Sequence, residues 1–176
     1  LIEVLTGFKY IGEKIQEFEM NKDKTYLFGF EESYGYLAGD FVRDKDAVIA
    51  AMLIAEMTLF YKEKGKSLYD GLIELYDKYG YFKETLVSFE LKGKEGGEKI
   101  AKCIDSLRSE KLVEVNGIKV VTKYDYKLST EENMINGDKK EINLPKSNVL
   151  KFVLENGAWF VVRPSGTEPK MKAYVA

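Results

Sequence analysis

Hydrophobic residues recur along the chain in two different periods, and the change between them falls near residue 80. Before that point, apolar residues at helical spacing predict helices over residues 11–20, 47–62 and 68–78. The short apolar run 26–30 predicts a buried strand between the first two helices. After that point, residues 82–91 alternate, which is typical of a half-buried strand. The pattern therefore predicts an α/β first part and a strand-rich second part.

The helices of the first part carry recognisable end signals. Asp44 or Asp46 can serve as the N-cap of the helix over 47–62, which is apolar on all its faces and is therefore predicted to be buried. Ser67 caps the helix over 68–78 in the same way. The residues of that helix predicted to point inward are Leu72, Leu75, Tyr76 and Tyr79.

Two Asn-Gly pairs mark hairpins in the second part. Asn116-Gly117 separates two short apolar runs, and Asn156-Gly157 separates residues 149–155 from 158–163. A third pair of strands flanks residues 164–170, because apolar runs lie on both sides of that stretch.

The remaining segments of the second part are one helix and two polar stretches. Residues 98–108 predict an amphipathic helix whose apolar stripe comprises Ile100, Cys103, Ile104 and Leu107. Residues 93–97 are predicted to be a polar loop. Residues 123–147 are polar with little periodicity, which predicts an excursion over the surface.

These elements predict an α/β domain over residues 1–79, followed by an α+β domain over residues 80–176 with an antiparallel sheet and packed helices. The chain begins at Leu1 without a methionine and enters apolar sequence at once. It ends at Ala176, directly after an apolar run. Native termini are usually polar and loosely held, so we expect this chain to be a piece of a longer protein.

Composition excludes several classes of function. The 27 basic and 29 acidic residues are mixed along the chain and give a net charge of −2, so no basic stripe is available for nucleic acid. No apolar window is long enough to span a bilayer, and the sequence contains no signal peptide, so a membrane partner is not expected. Cys103 is the one cysteine, which excludes a disulfide framework and makes a reducing cytoplasm the expected compartment. The absence of histidine removes Ser-His and Cys-His dyads and the usual zinc sites.

The stretch between the last two predicted strands is the best candidate for an anion site. Arg163, Ser165, Gly166 and Thr167 bring a guanidinium, two hydroxyls and a glycine within five residues. A guanidinium offers a planar fork of donors to phosphate, and glycine lets successive backbone N–H groups converge on one anion. An ordinary hairpin loop with a solvated arginine accounts for the same composition.

A second group of polar residues follows the strand predicted over 26–30. Glu31, Glu32 and Ser33 have the chemistry to bind vicinal sugar hydroxyls, since a carboxylate accepts two hydrogen bonds. They are equally compatible with a metal site or with a solvated acidic turn. The cations that can join an anion site are Lys9 in a Thr-Gly-Phe-Lys turn, Arg43, Lys45, Lys170 and Lys172. For each of them, a solvated surface charge is the alternative.

Four motifs, taken together and in order, resemble the α-D-phosphohexomutases of the phosphoglucomutase/phosphomannomutase type. They are Thr6-Gly7-Phe8-Lys9, Gly29-Phe30-Glu31-Glu32-Ser33-Tyr34-Gly35, Val42-Arg43-Asp44-Lys45-Asp46 and Arg163-Pro164-Ser165-Gly166-Thr167-Glu168-Pro169. The resemblance implies that residues 1–79 are the later part of the family's sugar-recognition domain 3. Residues 80–176 then correspond to its phosphate-binding domain 4, without a closing segment.

The resemblance also implies an activity for the full-length parent. Such enzymes are isomerases, intramolecular phosphotransferases that interconvert hexose 1- and 6-phosphates through a bisphosphate of the glucose 1,6-bisphosphate type. They use an enzyme phosphoserine and Mg²⁺. Neither the serine loop nor the Asp-rich metal loop is present in this sequence. The chain alone is therefore expected to be inactive and to need the N-terminal domains of the same protein. The alternative is a stand-alone, non-catalytic sugar-phosphate-binding module.

By position in the motifs, the resemblance gives roles to individual residues. It implies that Glu31 and Ser33 bind sugar hydroxyls and that Lys9 lies near the substrate. It assigns the phosphate that is not being transferred to Arg163, Ser165, Gly166 and Thr167. Arg43 and Lys45 match a motif and are further candidates, whereas catalytic residues and metal ligands are not expected in this chain.

Overall fold

The chain divides into two units, Leu1–Tyr81 and Phe82–Ala176. Both are described from a computed structural model that covers residues 1–165 and 168–176. The helices and the antiparallel sheet among these residues agree with the predicted fold class, a partial α/β domain followed by an α+β domain.

Three helices and a two-stranded antiparallel sheet make up the first unit. Its elements are α1 (Phe8–Asn21), β1 (Phe28–Phe30), β2 (Tyr36–Ala38), α2 (Ala47–Glu63) and α3 (Leu68–Tyr79). The core forms where α1 packs on β2, because Phe8, Ile15 and Leu37 are buried together. Tyr26 closes this core and donates its hydroxyl to the carbonyl of Leu37 at 3.0 Å.

Two expectations for the start of the first unit are wrong. Phe8 and Lys9 were assigned to a turn, but α1 begins at Phe8, directly after Gly7 at φ 125°. Burial of Phe8 in the core explains the earlier start. The strand over 26–30 is shorter and is not buried, since Phe28 and Phe30 are 49% and 60% exposed. Its partner β2 has only three residues, too few for a periodic signal.

Helix α2 begins as expected, because Asp46 Oδ1 accepts hydrogen bonds from the N–H groups of Val48 and Ile49. Its predicted burial is wrong: no residue of α2 is buried, and Val48 is 80% exposed. An apolar helix favours burial, but its own sequence does not show which neighbouring element would cover it. The helix contacts β2 and α3.

Helix α3 begins at a capping box. The Ser67 hydroxyl accepts from the N–H of Asp70, whose carboxylate accepts from the N–H of Ser67. The expected inward positions are not buried, because Leu72, Leu75 and Tyr79 are exposed and Tyr76 is half-buried. Instead Gly71 is buried: a Cβ there would lie 2.3 Å from the Tyr61 ring, so α2 and α3 meet at this glycine.

The second unit is a sheet with one long helix. Its elements are β3 (Thr85–Glu90), α4 (Gly93–Ser109), β4 (Glu114–Val115), β5 (Ile118–Asp125), β6 (Thr130–Asn133), β7 (Lys139–Glu141), β8 (Leu150–Leu154), β9 (Trp159–Pro164) and β10 (Lys170–Val175). The strands are antiparallel in the order β3-β10-β9-β8-β5-β6-β7, and β4 pairs with the first residues of β5.

Helix α4 packs on one face of this sheet. The predicted stripe is confirmed at Ile100 and Ile104, which are buried, and Leu107 packs against the same core. Strand β8 alternates between buried and half-buried residues, so that Phe152 and its neighbours at spacing two point toward α4. Cys103 was expected on the stripe but is exposed.

Both Asn-Gly signals are confirmed. Val115 pairs with Ile118, and the two residues between them have φ values of 51° and 78°, the positive values that a two-residue type I′ turn requires. At the other turn, the Asn156 side chain accepts from the N–H of Ala158, and Gly157 has φ 89°.

Three other expectations for the second unit are wrong. Residues 93–97 form the first turn of α4 rather than a loop, and the sole buried residue of this turn is Gly96. Residues 123–147 are not a surface excursion, because they contain the end of β5 and the strands β6 and β7. The residues of these two strands are polar and half-buried or exposed, so their sequences show no alternation of apolar and polar residues. Strand β3 is exposed along its whole length, since it lies at the sheet edge.

A buried ion pair ties α4 to the sheet. Arg108 Nε donates to Asp125 Oδ2 at 2.9 Å, and their side chains are only 11% and 6% exposed. Asp125 Oδ1 also accepts from the N–H groups of Lys127 and Leu128. Lys123 donates to the carbonyl of Arg108 at 2.5 Å, and burial lowers the pKa of this lysine. The charged groups on the core-facing side of β5 are therefore satisfied by the end of α4.

The capping box predicts a pH dependence in α3. The hydroxyl and N–H of Ser67 lower the pKa of Asp70 from its ordinary value of 3.8. Because the folded pKa lies below the unfolded one, this stabilisation is complete above about pH 4 and is lost as the pH falls through the folded value. We expect the ¹³Cα shifts of residues 68–70 to lose helical character over that range. In Asp70→Asn they should stay constant, and a pH response unchanged in this variant would contradict the assignment.

We expect the buried pair of Arg108 and Asp125 to contribute to the stability of the second unit. Asp125→Asn keeps an acceptor for the turn but removes the buried carboxylate that pairs with Arg108 and leaves only the exposed Asp105, so the free energy of unfolding should fall by about 3 kcal/mol. Urea unfolding followed by the fluorescence of Trp159, the single tryptophan of the chain, measures this change. The control is Asp105→Asn, which removes the 70% exposed partner of Arg108 and should cost less than about 0.5 kcal/mol. Equal effects of the two variants would contradict the prediction.

Candidate functional site

The candidate sugar-binding residues lie in the tight turn between β1 and β2. The N–H of Glu31 donates to the carbonyl of Gly35 at 3.0 Å, which closes the turn. Tyr34 has φ 64°, a left-handed value that reverses the chain direction. Ser33 is exposed at the tip, and Glu31 is half-buried at the base. A carboxylate and a hydroxyl therefore belong to one hydrogen-bonded turn.

Gly35 lets the Glu31 and Lys45 side chains come together. A Cβ on Gly35 would lie 2.7 Å from Glu31 Oε1 and 2.8 Å from Lys45 Cδ. Both side chains therefore lie against the bare backbone of this glycine. Lys45 Nζ also lies 5.8 Å from the ring centroid of Phe8, at the start of α1. The resulting cluster, which we call the turn cluster, comprises Glu31, Ser33, Gly35 and Lys45.

The other two candidate cations of the first unit have different surroundings. Arg43 forms an ion pair with Glu19 on α1 and donates to the carbonyl of Asp40 at 2.6 Å, so its guanidinium is engaged by the protein itself. Lys9 is exposed in the first turn of α1, and its Nζ lies 4.7 Å from the ring centroid of Tyr10. Lys9 directly follows Phe8, whose ring lies near Lys45 Nζ. Arg43 links the segment before α2 to α1 through its ion pair with Glu19.

The candidate phosphate residues of the second unit lie at the end of β9. Arg163 is half-buried on that strand, and Ser165 is exposed just after it. The N–H of Ser165 donates to the carbonyl of Lys170 at 2.7 Å, and the Ser165 hydroxyl accepts from the N–H of Glu168 at 3.3 Å. Gly166 and Thr167, which the sequence also indicated, lie outside the described residues.

Strand register brings further polar residues beside Arg163. Lys172 on β10 is directly opposite Arg163 on one side and Ser88 of β3 on the other. Lys170, two residues earlier, forms an ion pair with Glu90 at 2.6 Å. This pairing raises the pKa of Lys170 and lowers the pKa of Glu90. Ser88 was not predicted as a site residue, because its position beside Lys172 depends on strand pairing that the local sequence does not reveal.

The described residues give no other candidate centre. Within residues 1–165 and 168–176, acidic residues and Cys103 form no group of three or more that could hold a metal ion. No helix in this part of the chain is long and apolar enough to cross a membrane. A shallow groove of about 440 Å³ near β6 and β7 is lined by none of the candidate residues.

Comparison with known proteins gives consistent results. The family model described as phosphoglucomutase/phosphomannomutase, α/β/α domain III matches residues 1–79, and the model of the C-terminal domain of the same family matches residues 103–176. Phosphoglucomutases of Staphylococcus aureus strain USA300 and Staphylococcus epidermidis strain ATCC 12228 are 41% and 39% identical over 174 residues. These alignments cover 99% of this chain and 31% of each relative, so the chain spans less than a third of their length.

A solved structure shares the fold. It is the open form of the exocytosis-sensitive phosphoprotein pp63/parafusin, a phosphoglucomutase from Paramecium, with a TM-score of 0.54. The alignment covers 97% of this chain and 27% of that chain at 16% identity.

The contact at Gly35 predicts the effect of adding one methyl group. In Gly35→Ala the new Cβ displaces the Glu31 carboxylate and the Lys45 stem, both flexible, so the free energy of unfolding should change by about 1 kcal/mol or less. The ¹³C shifts of the Glu31 carboxyl carbon and Lys45 Cε should nevertheless move. Gly97→Ala is the control, because nothing lies within 4 Å of a Cβ at that position. Unchanged side-chain shifts in Gly35→Ala would contradict the described contact.

Proposed function

Since the chain belongs to the phosphoglucomutase/phosphomannomutase family, we propose that it is the substrate-binding C-terminal part of a mutase that interconverts hexose 1- and 6-phosphates. The observation that supports this most is the position of Arg163. Its guanidinium is at the end of β9, and among the described residues no carboxylate pairs with it. A guanidinium that no described carboxylate engages, close to the Ser165 hydroxyl in the chain, suits an anionic ligand that accepts two parallel hydrogen bonds.

In this proposal the second unit holds the phosphate that is not being transferred. Arg163 supplies the bidentate charge and Ser165 supplies a hydroxyl, and the sequence motif adds Gly166 and Thr167. Such donors recognise the phosphate group rather than the carbon that bears it. The same site therefore accepts a sugar bound through either end, which a reaction that exchanges 1- and 6-phosphates requires.

The turn cluster holds the sugar. Glu31 accepts hydrogen bonds from two neighbouring hydroxyls, and Ser33 both donates and accepts. Lys9 contributes positive charge toward a phosphorylated ligand. Lys45, which is held at Gly35 beside Glu31 and whose Nζ also pairs with the exposed Asp44 at 3.1 Å, does the same. Arg43 acts as a structural residue, because Glu19 already pairs with its guanidinium.

The chain contributes binding energy and orientation rather than the transferred group. Contacts to a remote phosphate fix the sugar, so that the reacting oxygen is presented in one geometry. We assign the phosphoserine and the Mg²⁺ site to segments outside this sequence. The chain alone is then expected to bind ligand without catalysing isomerisation.

The test is a titration of the ¹⁵N-labelled chain with glucose 1-phosphate, followed by amide NMR shifts. We expect saturable amide shifts at residues 163, 165, 168 and 170–172, with glucose alone producing none there. Arg163→Ala should weaken binding at least tenfold, because a charge-assisted bidentate contact contributes about 1.5–3 kcal/mol. Glu31→Gln should abolish shifts in the turn cluster while leaving those near Arg163.

The control variant is Lys140→Ala, on β7 at the opposite edge of the same sheet. It removes one positive charge and should leave the affinity within twofold of the parent chain. Binding that is lost equally in Arg163→Ala and Lys140→Ala would reflect general electrostatic attraction. That outcome, or shifts that do not involve residues near Arg163, would contradict the proposed phosphate site.

A further inference from the structure

Three Asn-Gly pairs lie at exposed turns of the second unit. They are Asn116-Gly117 between β4 and β5, Asn136-Gly137 between β6 and β7, and Asn156-Gly157 between β8 and β9. An asparagine before glycine deamidates readily, because glycine has no side chain to hinder attack by its own backbone nitrogen on the asparagine side chain. All six residues are exposed. Hydrogen bonding and strand pairing, rather than exposure, therefore decide which pair reacts.

The Asn136-Gly137 pair is held by three hydrogen bonds. The N–H of Gly137 donates to the carbonyl of Asn133 at 2.8 Å, so the nitrogen that would attack is already engaged. The Asn136 side chain donates to the Asp138 carboxylate at 2.7 Å and accepts from the N–H of Asp138 at 3.0 Å. Both reacting groups must therefore lose hydrogen bonds before they can meet.

The Asn156-Gly157 pair is held in a similar way. The N–H of Gly157 donates to the carbonyl of Leu154 at 3.0 Å, and the Asn156 side chain accepts from the N–H of Ala158 at 3.1 Å. This turn also joins two inner strands, because β8 lies between β5 and β9, and β9 lies between β8 and β10. Opening the turn would disturb the centre of the sheet and the core that packs on it.

The Asn116-Gly117 pair lacks this protection. Within the described part of the chain, neither the Gly117 N–H nor the Asn116 side chain has a hydrogen-bond partner. Strand β4 pairs with β5 through two residues, and one further hydrogen bond runs from the N–H of Val120 to the carbonyl of Val113 at 2.8 Å. The strands beside the other two turns pair through three and four residues. The hairpin of β4 and β5 therefore opens at the lowest cost of the three.

The closed turn keeps the two reacting groups of this pair apart. Asn116 and Gly117 have φ values of 51° and 78°, and a type I′ turn fixes the backbone of both residues. Ring closure between the Asn116 side chain and the Gly117 nitrogen requires rotation of the backbone bond between the two residues, which the paired strands prevent. Reaction therefore needs the hairpin to open, and its rate follows the population of the open form.

We propose that Asn116 is the site at which this protein deamidates fastest, and that it reacts when β4 separates from β5. Hydroxide removes the proton from the Gly117 N–H, and the nitrogen forms a bond to Asn116 Cγ. The bond from Cγ to Nδ2 breaks, and the leaving nitrogen takes a proton from water and departs as ammonia. Water then opens the cyclic imide at either carbonyl, which gives aspartate or isoaspartate. This modification does not depend on the proposed function.

The two products differ in what they do to the hairpin. Aspartate keeps the turn, because Asp-Gly supports a type I′ turn as Asn-Gly does. Isoaspartate routes the main chain through the side-chain methylene and so lengthens the turn by one atom. The pairing of Val115 with Ile118 is then lost, and both residues pack against the core of the second unit. The isoaspartate form should therefore unfold at a lower urea concentration than the parent chain.

The experiment incubates the full chain at mildly alkaline pH, with and without concentrated urea, and measures deamidation by mass spectrometry of tryptic peptides. Trypsin places each pair in its own peptide, 112–119, 128–139 or 152–170, and a sample at zero time corrects for reaction during digestion. In the folded chain, Asn116 should react at least about tenfold faster than Asn136 or Asn156. In urea, all three should react at similar rates, each faster than in the folded chain.

Two matched variants test the separation of β4. Val115→Ala removes methyl groups that pack against the core, so the ratio of the folded rate to the urea rate at Asn116 should rise about fivefold. Val113→Ala removes the same groups from a side chain that is 59% exposed and should leave that ratio within about twofold. Asn116→Asp, which has the structure of the aspartate product, should unfold at the same urea concentration as the parent chain.

Other outcomes overturn the proposal. If Asn136 or Asn156 reacts as fast as Asn116 in the folded chain, Asn116 is not the preferred site. Equal rates at Asn116 with and without urea would show that opening of the hairpin does not limit the reaction. Equal acceleration in Val113→Ala and Val115→Ala would contradict the separation of β4. If Val115→Ala does not fold, the comparison of the three pairs in the parent chain still decides the site.

Discussion

Packing of α4 against one face of the antiparallel sheet decides where the charged side chains of the second unit can lie. Successive residues of a strand point to opposite faces, so once Phe152 and Val162 are buried beneath α4, Arg163 must lie on the other side. The same rule brings Lys123 and Asp125 to the core-facing side of β5. Their burial is tolerated because Arg108, at the end of α4, pairs with one and accepts from the other through its carbonyl.

Local signals in the sequence were sufficient wherever a single short segment determines its own conformation. The turn at Asn116-Gly117, the cap at Asp46 and the stripe of Ile100 and Ile104 are each fixed by residues within one or two turns of chain. These features were therefore predicted correctly. The sheet order and register were not predictable in this way, because they depend on residues far apart in sequence, such as Ser88 and Lys172.

Errors arose where burial was inferred from composition. Helix α2 has the most apolar composition in the chain yet is exposed, and β6, with the sequence Thr-Glu-Glu-Asn, was taken for a loop yet forms part of the sheet. In both cases the neighbour decides the outcome: β6 is held between β5 and β7, while α2 contacts β2 and α3 along only part of its surface. Prediction of the candidate site from the sequence was limited for the same reason. Glu31 and Lys45 were nominated separately, and their meeting at Gly35 joins two separate motifs.

The pairing of Arg163 with Lys172 constrains the length of the segment that joins β9 and β10. Adding or deleting one residue there would shift β10 by one position relative to β9. Either Met171 and Ala173 would turn away from α4, or the pairing would slip so that a different residue faced Arg163. Changes of two residues preserve the alternation. Length changes in this segment that shift the register of β10 should therefore be tolerated only in even steps, because only even steps keep Met171 and Ala173 on the side of α4.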